Sequence, residues 1–329
     1  MITTKESQMT LLESVSIADI FSARNHIKES VFRTPLVRLN LKNTSAEIYL
    51  KLENLQPIGS FKLRGAGNAI AHLEKDNLAN GVYTASMGNM AQGLAWNALR
   101  LGIPCRVVVP DNAPETKLNA IKELGGTTIK VSFDEWWQVL INRKYEGLSG
   151  QFIHPVSDPT VIAGNGTIGL EILEDLPDVD AVIIPYGGGG LSSGIATAIR
   201  ALKPNTKIYA CEVETAPTLA TALSSGKPTE IKIKPSFVEG IGGKSVLSEM
   251  WPLVSKLIDD SIVMSLQSIA EAIRLLVEYN NVVAEGAGAT SVAAALSGKA
   301  GAGKVVCVIS GGNINASTLA TILLGKIPE

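Results

Sequence analysis

Four consecutive glycines constrain the fold of this chain more than any other feature of its sequence. Residues 187 to 190 come two residues after the apolar run at 181–184 and precede apolar residues spaced as in a helix, at 195, 198, 199 and 202. A strand, a glycine loop and a helix in this order turn several backbone N–H groups and a helix N-terminus toward one point. The glycines could form a simple turn, but four of them after a buried strand favour a loop that binds phosphate.

Two common nucleotide-binding motifs do not fit the sequence. The dinucleotide fingerprint ends in glycine or alanine, whereas serine stands at that position of the glycine loop in either frame. A second segment, from Gly298 to Lys304, has the spacing of a triphosphate-binding loop, but Val305 replaces the hydroxyl that binds magnesium. That segment also leads into a strand, where the motif requires a helix. The pattern therefore predicts a compact cofactor with a single phosphate.

Lys62 lies where an interrupted segment passes into a helical pattern. Pro57 and Gly59 break the chain before it, Phe61 precedes it, and helical spacing starts at Leu63. A lysine held beside apolar surface has a lowered pKa and can act as a nucleophile or form a Schiff base. A solvated lysine at a helix start is the alternative, and for an isolated lysine it is the commoner case.

Two further loops complete the set of candidate motifs. Residues 86–89 read Ser-Met-Gly-Asn after a short strand, and residues 310–313 read Ser-Gly-Gly-Asn after the apolar run at 305–309. Ligands of open α/β sheets bind beyond the carboxyl ends of the strands, where we expect all these loops to lie. One amine, one phosphate-binding loop and several polar loop residues suit pyridoxal 5′-phosphate.

These motifs, in this order, resemble those of the fold-type II pyridoxal-phosphate enzymes, in the branch of threonine and serine dehydratases and serine racemase. The resemblance extends from about residue 22 to the C-terminus. It implies an α/β fold of two open, twisted α/β domains, similar to the tryptophan synthase β-subunit, with the cofactor in the cleft between them. Residues 1–83 and 158–329 would form the large cofactor-binding domain, and residues 84–157 a small inserted domain.

The resemblance also implies which residues bind the cofactor. Lys62, with Phe61 before it, would form a Schiff base with the cofactor and later remove the α-proton of the substrate. Asn89 would bind the phenolic oxygen, Ser310 would face the pyridine nitrogen and Gly240 would pass close to the ring. The backbone N–H groups that hold the phosphate would come from Gly187, Gly188, Gly189, Gly190 and Leu191.

Two further assignments concern the substrate and a carboxylate. Ser86 would be a catalytic residue, and its hydroxyl and the backbone amides after it would hold the substrate carboxylate. The whole carboxylate-binding segment comprises Ser86, Met87, Gly88 and Asn89. Glu285 matches a family glutamate near the cofactor, although a plain helix-start residue before Gly286 is nearly as good an interpretation.

Met87 and Met90 depart from the family, whose loop usually reads Ser-Ser-Gly-Asn-His. In serine racemase the second serine transfers a proton on the face of the cofactor opposite the lysine, and a thioether cannot transfer a proton. Met87 therefore weighs against racemisation. The two methionines could make the pocket wider and apolar, or they could serve only in packing.

The divalent-cation site of the family is matched only in part. Glu212 and Ala216 occupy the positions of a carboxylate ligand and a backbone-carbonyl ligand. Thr218 replaces the second carboxylate, and Glu214 has the wrong spacing. Hard cations prefer several charged oxygen ligands. We therefore predict no metal, with Glu212 and Ala216 as weak candidates.

Composition and charge restrict the partners. A net charge of −2 and 5% aromatic residues do not indicate a surface that binds nucleic acid. Cys105, Cys211 and Cys307 fall in apolar runs without metal-ligand spacing, which predicts buried, reduced thiols. The polar N-terminus and the lack of a membrane-length apolar run predict a cytoplasmic protein that does not span a membrane. We expect a homodimer whose ligand is a small amino-acid substrate.

The sequence thus predicts a pyridoxal-phosphate-dependent dehydratase, an ammonia-lyase that converts an L-β-hydroxy amino acid such as threonine or serine to a 2-oxo acid and ammonia. Three alternatives stay open: a bulkier substrate such as phenylserine or hydroxyaspartate, an amino-acid racemase, and a non-catalytic cofactor-binding protein. Met87 opposes the racemase, and the intact Lys62 opposes the non-catalytic protein. Hydroxyaspartate is disfavoured because the altered loop adds no cation.

Overall fold

The predicted α/β fold is confirmed by the computed structural model, which describes residues 14–74 and 78–328. Within these residues, helices alternate with strands, and the strands form two sheets. Most neighbouring strands are parallel, so each needs a crossover connection, which the intervening helices supply.

The larger sheet has six strands in the order β1-β2-β10-β7-β8-β9. The pair β1 and β2 is antiparallel, and the other neighbouring pairs are parallel. The loops after β7 and β10 therefore emerge at the same edge of the sheet. The strands span Leu36–Arg38 (β1), Glu47–Lys51 (β2), Ala181–Pro185 (β7), Lys207–Val213 (β8), Asp260–Met264 (β9) and Lys304–Val308 (β10).

The smaller sheet has four parallel strands in the order β5-β4-β3-β6. They span Val82–Ala85 (β3), Cys105–Pro110 (β4), Thr127–Val131 (β5) and Gln151–Phe152 (β6). All four lie between β2 and β7 in the sequence, so one continuous segment of chain builds this sheet. The domain boundaries after residues 83 and 157 stay a prediction, and the first of them falls within β3.

Four helices begin at a serine or aspartate whose side chain caps the first turn: Ser16, Ser132, Asp158 and Ser265. Asp158, for example, accepts hydrogen bonds from Thr160 N and Val161 N, and Pro159 occupies the first turn, where its missing N–H costs nothing. The helices span Ile17–Ile27, Lys62–Ala71, Asn89–Leu101, Glu115–Glu123, Phe133–Asn142, Pro159–Asp175, Gly190–Leu202, Thr218–Ser225, Trp251–Leu257, Leu266–Asn280, Gly286–Leu296 and Ala316–Leu323, with a 3-10 turn at Glu53–Leu55.

Apolar side chains cover both faces of the six-stranded sheet. All five residues of β7 are buried, which is typical of a parallel strand with helices on either side. Ile183 and Cys307 face a cluster that includes the helices Leu266–Asn280 and Gly286–Leu296. The opposite face packs against the helices Pro159–Asp175 and Gly190–Leu202. The central strands are therefore packed on both faces up to the point where their loops begin.

The three cysteines are buried and form no disulfide, as the sequence predicted. Burial raises the pKa of the Cys105 thiol to about 12, so this group is not a thiolate at neutral pH. In the part of the chain that the structure describes, no helix combines the length and the apolar composition needed to cross a membrane.

Candidate active site

Loops that follow β3, β6, β7 and β10 line one cavity of about 440 Å³. The cavity lies between the two sheets, beyond the carboxyl ends of these strands, where ligands of α/β folds bind. The sequence-predicted cofactor and substrate residues all line it: Phe61, Lys62, Ser86, Met87, Gly88, Asn89, Gly187, Gly188, Gly189, Gly190, Leu191, Gly240, Glu285 and Ser310.

Lys62 is the first residue of the helix Lys62–Ala71, and its side chain is half-buried. Its Nζ donates a 2.6 Å hydrogen bond to the carbonyl oxygen of Pro155 and lies 5.3 Å from the centre of the Phe61 ring. Removal from water disfavours the ammonium form and lowers the pKa of Lys62 to about 8. The amine is therefore much closer to its nucleophilic state at neutral pH than an ordinary lysine.

The segment before Lys62 is docked on the loop after β10. The Phe61 N–H donates to the Ser310 carbonyl oxygen at 3.0 Å, and Ser60 forms a bridge with Gly311. Gly59 has a φ of +69°, and a Cβ there would lie 2.6 Å from Asn313 Oδ1. Two segments that are far apart in the sequence are thus locked together beside the cavity.

The glycine loop presents a row of backbone donors to the cavity. The N–H groups of residues 187–191 have no acceptor among the described residues, and the helix Gly190–Leu202 begins within the row. Gly189 has a φ of +97°, which favours glycine. Unpaired N–H groups at a helix N-terminus are suited to a phosphate group.

Gly188 and Gly190 lie close to Val156. A Cβ at Gly188 would lie 2.6 Å from Val156 Cγ1, and a Cβ at Gly190 would lie 2.8 Å from the Val156 carbonyl oxygen. Close approach of Val156 therefore requires these two glycines.

Glu285 lies in the cavity and also precedes the helix Gly286–Leu296, so both interpretations from the sequence describe its position. Its Oε1 accepts a 3.0 Å hydrogen bond from Asn89 Nδ2. The Oδ1 of Asn89 in turn accepts a 2.8 Å hydrogen bond from Asn313 Nδ2. A Cβ at Gly240 would lie 3.3 Å from Glu285 Oε1. Burial raises the pKa of Glu285 to about 7.

The hydroxyls of Ser310 and Ser86 differ in their surroundings. Ser310 is 3% exposed, and its hydroxyl has no hydrogen-bond partner among the described residues. Ser86 Oγ accepts a 3.3 Å hydrogen bond from the Gly88 N–H and keeps its own proton available. Ser310 therefore offers the cavity both a donor and an acceptor.

Met87 and Met90 line the cavity and also pack in the core beside the four-stranded sheet. Met90 is 2% exposed, whereas Met87 is half-buried. Both side chains therefore form part of the pocket wall and also pack in the core, so the two interpretations from the sequence are compatible.

Comparison with known proteins agrees with this geometry. A family model described as pyridoxal-phosphate-dependent enzyme matches residues 27–311.

The chain belongs to this family.

Individual relatives of this pyridoxal-phosphate enzyme resemble nearly the whole chain. The L-threonine ammonia-lyase of Thermotoga maritima is 43% identical, over 94% of this chain and 78% of that protein. The catabolic L-threonine dehydratase of Staphylococcus aureus is 38% identical, over 98% of this chain and 95% of that protein. The crystal structure of serine racemase from Dictyostelium discoideum superposes with a TM-score of 0.83 at 35% identity, over 92% of this chain and 99% of that one.

The cavity residues of this pyridoxal-phosphate enzyme fit the cofactor of its family. An amine with a lowered pKa, a row of N–H groups without acceptors and a buried hydroxyl without a partner lie in one cavity. These groups match an aldehyde, a phosphate and a ring nitrogen, respectively. The fit rests on atoms that the protein itself leaves available.

The weak metal candidates lie outside this cavity. The Glu212 carboxylate is buried and accepts hydrogen bonds from Leu219 N at 2.7 Å, Ala220 N at 2.8 Å, Ser261 Oγ at 2.6 Å and Thr218 Oγ1 at 3.1 Å. These four donors occupy the carboxylate at the start of the helix Thr218–Ser225. Among residues 14–74 and 78–328, no group of three or more His, Cys, Asp or Glu side chains is arranged to hold a metal ion.

Several cavity residues were missed by the sequence analysis. Pro155 contributes only a backbone carbonyl, which leaves no signal in the sequence. Lys117 and Glu239 form a 2.7 Å ion pair at the cavity wall, from the helix Glu115–Glu123 to the loop at Glu239. Trp136 lines the cavity from the helix Phe133–Asn142.

A buried charge cluster was also missed. Arg64, two residues after Lys62, makes paired hydrogen bonds of 2.7–2.9 Å to Glu53 and to Glu171. Lys51 Nζ adds a 2.6 Å contact with Glu171. The four side chains carry balanced charge and satisfy one another, which is the condition under which buried charges are tolerated. The cluster fixes the first turn of the helix that begins at Lys62.

Proposed function

We propose that this chain is a pyridoxal-phosphate-dependent ammonia-lyase that dehydrates an L-β-hydroxy amino acid of the threonine or serine type to a 2-oxo acid and ammonia. One observation carries the proposal: the Lys62 amine, with its lowered pKa, shares a cavity with the unpaired N–H groups of the glycine loop. The names of the relatives from Thermotoga maritima and Staphylococcus aureus support threonine as the model substrate.

The cavity residues have separate roles in holding the cofactor. Lys62 holds it covalently, and the backbone amides of residues 187–191 hold its phosphate. Asn89 donates to the phenolic oxygen, and Ser310 faces the pyridine nitrogen. When bound, the cofactor supplies an electron sink for the bond that breaks at the substrate α-carbon. A hydroxyl at Ser310 holds a neutral nitrogen better than a charged one, which favours elimination over reactions that need a long-lived carbanion.

Lys62 is the base of the reaction after the amino group of the substrate has replaced it and released its Nζ. With a pKa of about 8, a useful fraction of its amine is unprotonated at neutral pH and can take the α-proton at Nζ. The β-hydroxyl leaves as water, and one water molecule returns when the amino group departs as ammonia. The net change converts threonine to 2-oxobutanoate and ammonia without an added oxidant or reductant.

Ser86 and the backbone amides after it bind the substrate carboxylate. The Ser86 hydroxyl has a proton to donate, because it accepts only the Gly88 N–H within this loop. Met87 presents an apolar surface beside it, which suits the methyl group of threonine or a larger apolar group. Lys117 also lines the cavity, but its pairing with Glu239 makes it a poor partner for a second substrate carboxylate. Hydroxyaspartate is therefore disfavoured.

A racemase is the second candidate, because the chain resembles the serine racemase of Dictyostelium discoideum. Racemisation requires a proton donor on each face of the α-carbon. Met87 has no exchangeable proton at the position where the family usually has serine. Dehydration needs proton abstraction on one face only, so it is the better-supported reaction.

The decisive experiment incubates the cofactor-loaded enzyme with a panel of L-threonine, L-serine, phenylserine and hydroxyaspartate. Release of ammonia and 2-oxo acid in equal amounts supports the ammonia-lyase. Fast formation of D-amino acid without 2-oxo acid would favour the racemase. No turnover on any panel member, with the cofactor bound, would favour the non-catalytic cofactor-binding protein. Lys62→Ala is the control for background release.

We also propose that the protein forms a homodimer and that it is located in the cytoplasm, as we expected from the sequence. Light scattering of the purified, cofactor-loaded protein tests the first of these. A mass of twice the 34.7 kDa of one chain supports the dimer, and a mass of one chain contradicts it.

A further inference from the structure

The His154 turn, residues 154–157, contacts both halves of the proposed cofactor site. Its Pro155 carbonyl oxygen accepts the 2.6 Å hydrogen bond from Lys62 Nζ. Its Val156 side chain packs on the glycine loop, so closely that a Cβ at Gly188 would lie 2.6 Å from Val156 Cγ1. The position of this turn therefore sets the spacing between the amine and the phosphate-binding loop.

The His154 imidazole supplies the acceptor that the backbone of the turn requires. His154 and Ser157 are 6% and 0% exposed, so unpaired N–H groups here would be costly. Pro155 has no N–H. The Val156 and Ser157 N–H groups both donate to His154 Nδ1, at 3.1 and 2.8 Å. Ser157 Oγ lies 3.1 Å from the same nitrogen and donates its own proton to Glu249. Because a nitrogen that accepts from two backbone N–H groups carries no proton, we assign the neutral ring with its proton on Nε2.

The surroundings of the ring keep it neutral. Burial lowers the pKa of His154 to about 3, and the positive charges of Arg143 and Lys62 act in the same direction. The acceptor at Nδ1 is therefore present throughout the physiological pH range.

Two segments that are distant from the turn in the sequence form hydrogen bonds with Ser157, its last residue. The Ser157 hydroxyl donates to Glu249 Oε1 at 2.9 Å, from the segment before the helix Trp251–Leu257. The Arg143 guanidinium donates to Ser157 O and Oγ at 2.9 and 2.8 Å, from the end of the helix Phe133–Asn142. The turn is thus held both by these groups and by the ring of His154.

We propose that His154 is a positioning residue whose Nδ1 fixes the turn that places the Pro155 carbonyl at Lys62 and Val156 at the glycine loop. His154 does not itself line the cavity, so it acts through these two neighbours. The proposal rests on the proposed function, in which Lys62 holds the cofactor.

Two substitutions separate the acceptor from the shape of the ring. His154→Asn keeps an acceptor oxygen at the same number of bonds from Cα, and His154→Phe keeps a ring without an acceptor. Loss of the acceptor leaves two buried N–H groups unpaired, so we expect His154→Phe to weaken cofactor binding by the apo-protein roughly tenfold or more. His154→Asn is expected to stay within about threefold of the wild type. Thermal unfolding shows which variants are folded.

The outcomes of this titration are distinct. Wild-type cofactor affinity in folded His154→Phe overturns the proposal. Equal losses in two folded variants also overturn it, because the packing of the ring would then matter rather than its acceptor. Borohydride fixation of the wild type identifies the lysine that carries the cofactor. Fixation on Lys62 with unchanged affinity in His154→Phe overturns the positioning role alone, whereas fixation on another lysine overturns the proposed function as well.

A measurement on the wild type needs no variant to fold. The chain has 3 histidines, so the imidazole ¹⁵N spectrum contains few signals. We expect the His154 Nδ1 to show the shift of an unprotonated nitrogen, without titration between about pH 5 and 8, where an ordinary histidine changes charge. A His154 ring that titrates in this range, or that carries its proton on Nδ1, overturns the proposal.

Discussion

The Asn89 side-chain nitrogen donates a 3.0 Å hydrogen bond to Glu285 Oε1, and this contact joins the loop after β3 to the start of the helix Gly286–Leu296. Burial holds the pKa of Glu285 at about 7, so its charge changes near neutral pH. The same amide is proposed to bind the phenolic oxygen of the cofactor. The protonation state of Glu285 therefore acts on a group at the centre of the proposed site.

The first prediction concerns the stability of the apo-protein as a function of pH. The pKa of Glu285 rises from 4.5 to about 7 on folding, so the folded state binds the proton more tightly than the unfolded state. Stability is lost as the pH rises from the unfolded to the folded pKa, by at most about 3 kcal/mol. In urea unfolding, Glu285→Gln should gain stability relative to the wild type at the alkaline end of this window. A difference that does not change with pH would contradict the raised pKa.

The second prediction concerns Lys62. Lys62→Ala removes both the covalent attachment and the base, so turnover should fall by roughly 10²–10⁴-fold or more. Borohydride treatment followed by peptide mass spectrometry should find the cofactor on Lys62 in the wild type and on no lysine in the variant. Lys117→Met is the matched control, because Lys117 lines the same cavity but pairs with Glu239. It should keep the labelled Lys62.

The third prediction tests why residue 188 is glycine. Gly188→Ala places a methyl group 2.6 Å from Val156 Cγ1. The free energy of cofactor binding should fall by more than the free energy of unfolding does. The double variant Gly188→Ala, Val156→Ala removes the clashing methyl groups. It should recover part of the lost affinity in a titration of the apo-protein. No recovery would show that the added methyl group obstructs the phosphate itself.

The fourth prediction concerns Met87. Met87→Ser introduces an exchangeable proton on the cavity wall and should raise the ratio of racemisation to elimination. Met87→Ala is the control, because it opens the same space without adding a hydroxyl. Chiral chromatography of the remaining substrate, together with an assay for 2-oxo acid, measures both reactions. Rapid D-amino acid formation by the wild type would contradict the proposed role of this position.

The fifth prediction concerns metal ions. Four hydrogen bonds already occupy the Glu212 carboxylate, so excess chelator should change neither the unfolding temperature nor the rate of ammonia release. Glu212→Gln can no longer accept from all four donors and should lower stability by about 1–3 kcal/mol. Activation by magnesium after chelation would show that a cation binds here or elsewhere.

Much of the candidate site could be predicted because its parts follow strands. The loops at residues 86–89, 187–190 and 310–313 each come at most two residues after an apolar run, and the structure brings all three to one cavity. Turn-forming residues and strand periodicity are local signals, so one sequence suffices to find them.

The parts that could not be predicted depend on contacts between distant segments. Lys62 and Pro155 are 93 residues apart, and the contact uses a backbone oxygen that any residue would supply. Arg64 and Glu171 are 107 residues apart and read as ordinary surface charges until the helices pack together. Residue type alone also did not show that Val156 packs closely beside Gly188.

Three helices begin at residues that line the cavity, Lys62, Asn89 and Gly190, and a fourth begins at Gly286, directly after the lining residue Glu285. The aligned peptide dipoles of each helix leave partial positive charge at its first turn. Their combined potential would attract the proposed phosphate and carboxylate, although the chain carries a net charge of −2 and no arginine among the described residues lines the cavity. The same potential disfavours an ammonium group at Lys62, so the architecture of the fold itself helps to keep that amine ready to react.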